Sequence, residues 1–288
     1  MNSNSIVLSI ITVAYNNLND VLNMISSLYE FNDIEEKIEI IVVDHSEKSI
    51  LNNLKDVYPE VITVQQDNLG FGAGNNCGAL IAKGEFLLFI NPDTIFIEPV
   101  FKEVIRTFQE DEAIGIVGVQ LLDKNYKKNF SFYYIDKNSF FYKQKIKYAN
   151  RKSYFDSDSM YISGANIFIK KRVFDKAGKF DENMFMYYEE PDLTKRIKTL
   201  GYNSKFLKEL SIIHLEGVHT TQSLSVMKRK YASARYYCNK YGLNYKKILK
   251  QDYRYNVLKY YIAKIAGKNS DKCIEKCIYI SGLLKKEM

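Results

Sequence analysis

The 288 residues are 46% hydrophobic and 26% charged, with 14 Gly, 4 Pro, 4 Cys and no Trp. This composition excludes a collagen-like chain, a low-complexity disordered chain and a disulfide-dense scaffold. The net charge of +7 is unevenly spread: residues 226–288 hold 16 Lys/Arg against 4 Asp/Glu, a net +12, and residues 1–225 hold 25 against 30, a net −5.

In chain order, the β-branched run Ile6–Ala14 predicts a buried strand, and Leu18–Phe31 has apolar residues at helical spacing. Glu39–Val43 predicts a strand, Ile50–Val57 a helix and Val61–Val64 a strand. Asn75–Lys83 predicts a helix ended by Gly84, Phe86–Ile90 a strand, and Glu98–Phe108 a helix with an acidic, Pro-containing start. This alternation predicts right-handed βαβ units, hence an α/β fold with a mostly parallel, Rossmann-like central sheet flanked by helices. Asp123–Ser159, rich in Lys and aromatics, reads as an excursion of loops with a hairpin. Met160–Ile169 returns to strand character, Pro191–Leu200 is a helix stopped by Gly201, and Tyr202–His214 gives one or two short strands. From Leu224 the pattern is helical, broken near Gly242 and Gly267. Two units are expected, a catalytic domain over residues 1–223 and a basic helical C-terminal extension over 224–288.

No window holds the ~18 consecutive apolar residues of a membrane-spanning helix. Met1–Ser5 lacks the features of a signal peptide. A cytoplasmic protein with reduced thiols is therefore expected, and Cys77, Cys238, Cys273 and Cys277 form no CxxC pair.

Parallel sheets bind ligands at the carboxyl ends of their strands, which directs attention to the residues just after each strand. Asp44 ends Ile40–Asp44 and suits either a ribose contact or the cap of the next helix. Asn68-Leu69-Gly70-Phe71-Gly72-Ala73-Gly74-Asn75-Asn76 is either a backbone cradle for a polar ligand or a tight strand-to-helix turn. It lacks the third glycine of a dinucleotide fingerprint and the Gly-Lys-Ser/Thr of a P-loop. Asn91-Pro92-Asp93 follows a strand, as a cation-holding carboxylate or as a β-turn. Glu189, Glu190 and Asp192 open a helix, where they suit the helix dipole or supply a general base. Two of the three histidines, His214 and His219, fall at the end of the last strand.

The order and spacing of these blocks resemble glycosyltransferase family 2, and within it the bacterial rhamnosyltransferase-like group that builds surface polysaccharides. Val-Val-Asp-x-Ser, Asn-x-Gly-Phe-Gly-x-Gly-Asn-Asn, Asn-Pro-Asp, Gly-x-Phe-Asp-Glu…Tyr-x-Glu-Glu-x-Asp-Leu and a strand-end His carry the resemblance over Ile6 to His219. It implies the GT-A fold and an inverting transfer of a sugar from a nucleotide-diphosphate donor, with Mg2+ or Mn2+. It implies donor contacts at Ala14, Asn16, Asp44, Asn68, Gly70, Phe71, Gly72, Asn75, Asn76, Asn91, Gly164 and Ala165. It implies metal contacts at Asp93 and His214, and a catalytic base at Glu190, with Glu189 as the alternative base and Asp192 positioning Arg196. Two positions depart from the family pattern: Asn91 replaces the first Asp of the metal motif, and Glu190 replaces the more frequent Asp.

The resemblance further implies a saccharide or lipid-linked acceptor. The basic tail then reads as an address on the inner face of the cytoplasmic membrane, or as an assembly surface for a homo-oligomer, outside the chemistry. Two rival classes remain. A nucleotidyltransferase would need a basic Gly-rich loop where Tyr15-Asn16-Asn17 stands, and a nucleic-acid binder would leave the Asp44, Asp93, Glu190 and His214 series without a use.

Overall fold

The computed structural model describes residues 6–34, 38–136, 141–215, 224–267 and 269–287. The alternating first part comprises β1 (Leu8–Ala14), α1 (Leu18–Glu30), β2 (Ile38–Asp44), α2 (Leu51–Val57), β3 (Ile62–Gln65), α3 (Phe71–Ile81) and β4 (Phe86–Ile90). β5 (Thr94–Phe96), α4 (Phe101–Glu110) and β6 (Ile114–Leu122) follow. The excursion holds β7 (Phe132–Tyr134) and α5 (Tyr142–Lys152) and closes on β8 (Met160–Ile162). The chain returns through β9 (Asn166–Lys170), α6 (Lys171–Lys176), α7 (Glu189–Thr199) and β10 (Asn203–His214). The tail is α8 (Leu224–Lys240), α9 (Tyr245–Ile265) and α10 (Asp271–Lys286).

Eight strands form one sheet in the order β3-β2-β1-β4-β9-β6-β10-β5. Only β9 and β5 run against the other six, so the sheet is mostly parallel, as the alternation predicts. Alternate strand residues feed opposite faces. Ile10 and Leu88 pack towards α1 and α4, and Ile11 and Phe89 towards α6 and α7. On the second face Phe89 lies 4.8 Å from Phe174 and 5.0 Å from Phe180, ring centre to ring centre.

Two expectations are corrected and one is sharpened. α3 starts at Phe71, four residues before the predicted start, so Gly72 and Gly74 are helical rather than parts of a loop. Each helical glycine costs about 1 kcal/mol in propensity. The compensation is close approach to the sheet: a Cβ on Gly74 would lie 2.8 Å from Val13 Cγ2, and one on Gly78 only 2.4 Å from Ile11 Cγ2. The strand character expected over Met160–Ile169 is divided between two strands, β8 and β9, separated at Ser163-Gly164-Ala165. The hairpin expected in the excursion is a wider pairing of β7 with β8, antiparallel, with α5 between them in the chain.

The C-terminal helices are not a detached appendage. Tyr231, Tyr237, Leu249 and Ile280 form a third core together with Met184 and Tyr188 of the segment before α7. No helix among the described residues is long and apolar enough to cross a membrane, and all four cysteines are free thiols.

Candidate active site

β1, β2, β4 and β10 all end at one edge of the sheet. Because β9 is antiparallel, its start reaches the same edge, with Asn166 opposite Ile90. Asn91 N–H donates to Ala165 O at 3.2 Å. At the far side, His214 is paired with Thr94, and Leu215 N–H donates to Asp93 O at 2.9 Å. These pairings bring the expected metal contacts together: His214 Nε2 lies 3.3 Å from Asp93 Oδ1 and 3.3 Å from Asn91 Nδ2. Among the described residues no group of three or more His, Cys, Asp or Glu surrounds one point. One carboxylate and one imidazole fit a divalent cation that takes its other ligands from substrate phosphate oxygens and water. His219 lies outside the described residues.

The candidate bases differ in environment. Glu190 is half-buried and lies against Gly164, where a Cβ would sit 2.6 Å from its Oε1. Gly164 thus makes the room that Glu190 occupies, one residue from the Ala165–Asn91 bond. Beside it, burial pushes the Tyr161 phenol up, and the Glu190 charge adds to this. Glu189 is 2% exposed, and its Oε2 has no hydrogen-bond partner. Burial raises its carboxyl well above the ordinary range, and the adjacent Glu190 charge raises it further.

That shift has a stability consequence. A carboxyl raised in the folded state favours folding most when neutral. Its contribution is complete below the ordinary value of 4.5 and declines as pH rises towards the folded value. Glu189→Gln removes the ionisation. The variant is expected to match the wild type in urea unfolding near pH 4 and to exceed it by about 1–3 kcal/mol at pH 8, the cost of an unsatisfied buried polar group. A gap that does not widen with pH would contradict the assignment.

Residues 180–190 lead into α7 and are held from two sides. From α3, Asn76 Nδ2 donates to Phe180 O at 2.9 Å and to Glu182 Oε1 at 2.8 Å, and its Oδ1 accepts from Phe180 N–H at 3.0 Å. Phe71 N–H donates to Phe185 O at 2.9 Å. Gly70, at φ +105°, packs so closely that a Cβ would lie 2.1 Å from Phe185 O. From the tail, Lys240 Nζ lies 2.7 Å from Asp181 Oδ2 and 2.6 Å from Asp192 Oδ1. Tyr241 OH donates to Asp192 Oδ1 at 2.8 Å, and Arg196 Nε to Asp192 Oδ2 at 2.8 Å. Ser233 Oγ donates to Met186 O at 2.9 Å, and the Arg229 guanidinium stacks 4.1 Å from the Phe185 ring centre. Tyr187 and Tyr188 adopt φ of +70° and +74°, a region that costs non-glycine residues of order 1–3 kcal/mol each. The clamp on both sides maintains this strained entry to Glu189 and Glu190.

The remaining expected donor contacts divide. Ala14 is opposite Asp44 in the sheet, and Asn16 N–H donates to Ser46 Oγ at 2.8 Å. Asp44 is fully buried; it accepts from Ser46 N–H at 2.9 Å, Ser49 Oγ at 3.1 Å and Ile50 N–H at 2.9 Å. As folded, Asp44 ties down the 45–50 turn that leads into α2. Asn68 is exposed, Gly72 packs on Phe180, and Asn75 is buried with its Oδ1 unpartnered. Asn76, Gly70 and Phe71 serve the 180–190 segment.

With this geometry in hand, comparison with known proteins identifies the family. The family model described as "Glycosyl transferase family 2" matches residues 9–178, more than half of the chain. The chain belongs to glycosyltransferase family 2. Bacillus subtilis YfnE, an uncharacterized glycosyltransferase, is 22% identical over 285 residues, covering 81% of this chain and 70% of YfnE. The rhamnosyltransferase WbbL of Escherichia coli is 23% identical over 203 residues, covering 65% and 76%. A crystal structure of GalNAc-T7 with UDP, GalNAc and Mn2+ has the same fold, with a TM-score of 0.58 at 14% identity; the likeness covers 81% of this chain and 48% of that one. The sheet and its flanking helices are a GT-A fold.

The residues that sequence reasoning missed are in the tail. Lys240 and Tyr241 reach Asp192 across nearly fifty residues of chain, and nothing local to them marks the contact. The available signal was the run of tyrosines through α8, which predicts a packed face rather than a solvated one.

Proposed function

We propose that this family 2 glycosyltransferase is inverting and transfers a sugar, with rhamnose the leading candidate, from a nucleotide diphosphate to a saccharide or lipid-linked acceptor. The setting is bacterial surface polysaccharide synthesis. The carrying observation is the seat of Glu190 on Gly164, joined through Ala165 to Asn91 and so to the Asp93–His214 pair. This arrangement supports one carboxylate on the acceptor side and a cation-holding pair on the diphosphate side.

Glu190 takes the proton of the acceptor hydroxyl. The acceptor oxygen bonds to the anomeric carbon while the bond from that carbon to the diphosphate oxygen breaks on the opposite face. Asp93 and His214 would hold Mg2+ or Mn2+, which supplies charge neutralisation to the departing diphosphate. The burial of Glu189 supports Glu190 as the base, and the ion pair to Arg196 supports Asp192 as a positioning residue. The pairing of Ala14 beside Asp44, the Asn16–Ser46 hydrogen bond and the unpartnered Asn75 Oδ1 support Ala14, Asn16 and Asn75 as donor contacts. A groove of about 500 Å3 lined by Tyr134, Asp136, Lys195 and Tyr241 offers a saccharide acceptor aromatic faces and polar partners. The basic tail supports a peripheral position on a membrane, and residues 1–223 and 224–288 serve as catalytic core and buttressing extension.

Calorimetry with dTDP, UDP and GDP tests the donor half of this reading. One nucleotide is expected to bind more tightly with Mn2+ present, and Asp93→Ala to abolish that Mn2+ dependence. An unchanged affinity in Asp93→Ala would count against the metal assignment.

A further inference from the structure

The exposed faces of α9 and α10 carry an ordered pattern that the tail's net charge conceals. α9 presents Lys247, Lys250 and Arg254, then Leu258, Tyr261, Ile262 and Ile265, to solvent at spacings of three and four, which is one face of a helix. On the opposite face, Tyr245, Leu249 and Asn256 are buried. α10 mirrors this in reverse: Ile274 and Ile278 are exposed near its start, and Lys285 is exposed on the same face one residue before its end. The two helices pack against each other, so the end of α9 and the start of α10 lie together, with Lys259, Lys264 and Lys272 also exposed beside the apolar side chains there, while Lys247 and Lys285 lie towards the other end. Ile265 is 88% exposed and Ile278 68%. Soluble helices rarely leave so many large aliphatic side chains in water at helical spacing.

We propose that the α9–α10 tip is an interfacial wedge: Leu258, Tyr261, Ile262, Ile265, Ile274 and Ile278 enter the headgroup region of an anionic bilayer. Lys247, Lys250, Arg254 and Lys285 lie against the lipid phosphates. The proposal rests on the peripheral membrane position suggested above and assigns it to particular side chains. Charge decides the occupant: a net +12 over residues 226–288 complements an anionic surface and repels a second copy of the same tail. The combination of an apolar face, basic flanks and no spanning helix is that of a segment lying in the interface. It would hold the nucleotide-sugar site at the surface where a lipid-linked acceptor resides.

Sedimentation with vesicles of phosphatidylcholine containing phosphatidylglycerol, at low and high salt, tests this. Wild-type protein is expected to co-sediment at low salt and to lose most binding at high salt or on pure phosphatidylcholine. Each basic contact contributes about fivefold to partitioning, and salt screens that part. Ile262→Ser/Ile265→Ser is expected to weaken vesicle partitioning at least about tenfold, the loss of several buried methylenes, while nucleotide binding is unchanged. Wild-type vesicle binding retained in that variant would overturn the wedge while leaving a membrane position intact. No vesicle binding by the wild type would overturn both. A concentration-dependent dimer abolished by the same substitutions, without vesicle binding, would assign the tip to a second copy instead.

Discussion

Glu190→Gln is expected to lower kcat by about 10²–10⁴ while leaving nucleotide affinity within a few-fold, the loss of a positioned general base. The substitution preserves shape, so the contact with Gly164 and the start of α7 persist. What disappears is the ability to accept the acceptor's proton. Glu189→Gln provides the comparison within the same turn. Its carboxyl is buried and already biased to the neutral form, so turnover should remain within a few-fold of wild type. Wild-type turnover in Glu190→Gln, or a collapse only in Glu189→Gln, would reverse the assignment.

Lys240→Met is expected to lower kcat by about 10–10² at nearly unchanged nucleotide affinity, because displacing catalytic groups by about 1 Å has effects of that order. Lys240 bridges Asp181 and Asp192, the two ends of the segment that carries Glu190. Removing it leaves the fully buried Asp192 with Arg196 and Tyr241 only. The ammonium is about a quarter exposed, so the stability loss is set near 2 kcal/mol, below that of a dry buried pair. Lys240→Arg, which keeps the charge, should restore much of the activity. The acid side of the stability profile gives an independent readout. Burial pushes the Asp181 carboxyl up, but Lys240 and Asn183 outweigh it and bring it down to about 2 from 3.8. A lowered carboxyl stabilises fully above its ordinary value and loses that contribution as pH falls towards about 2. Lys240→Met should flatten the decline between pH 4 and 2, and an unaltered decline with unaltered kcat would remove Lys240 from the account.

Much of the fold was legible because parallel strands buried on both faces read as continuous apolar runs, such as Ile40–Val43 and Phe86–Ile90. The strand-end rule also located Asn91, Asp93 and His214, since side chains after parallel strands share one edge whatever their separation in the chain. The reversal of β9 was not legible, because a short apolar strand carries no mark of its direction; that reversal is what delivers Gly164 and Ala165 to the site. The glycines of Gly70–Gly78 suit either a ligand cradle or a tight strand-to-helix turn in the sequence. Their use in helix–sheet and helix–loop approach depends on Val13, Ile11 and Phe185, which the local sequence does not reveal. The charge of the tail was plain, yet Lys240 is spent on two carboxylates of the body, a long-range pairing that no local spacing encodes.

In the proposed function, the edge formed by Asp93, His214, Gly164 and Glu190 acts on a nucleotide-sugar. Incubating the full chain with dTDP-, UDP- and GDP-sugars and Mn2+, and measuring nucleoside diphosphate released, tests it most directly. Release from one nucleotide series is expected, reduced at least about tenfold in Glu190→Gln, in line with the loss of a general base. No release from any donor, together with tight binding of an oligonucleotide, would contradict it.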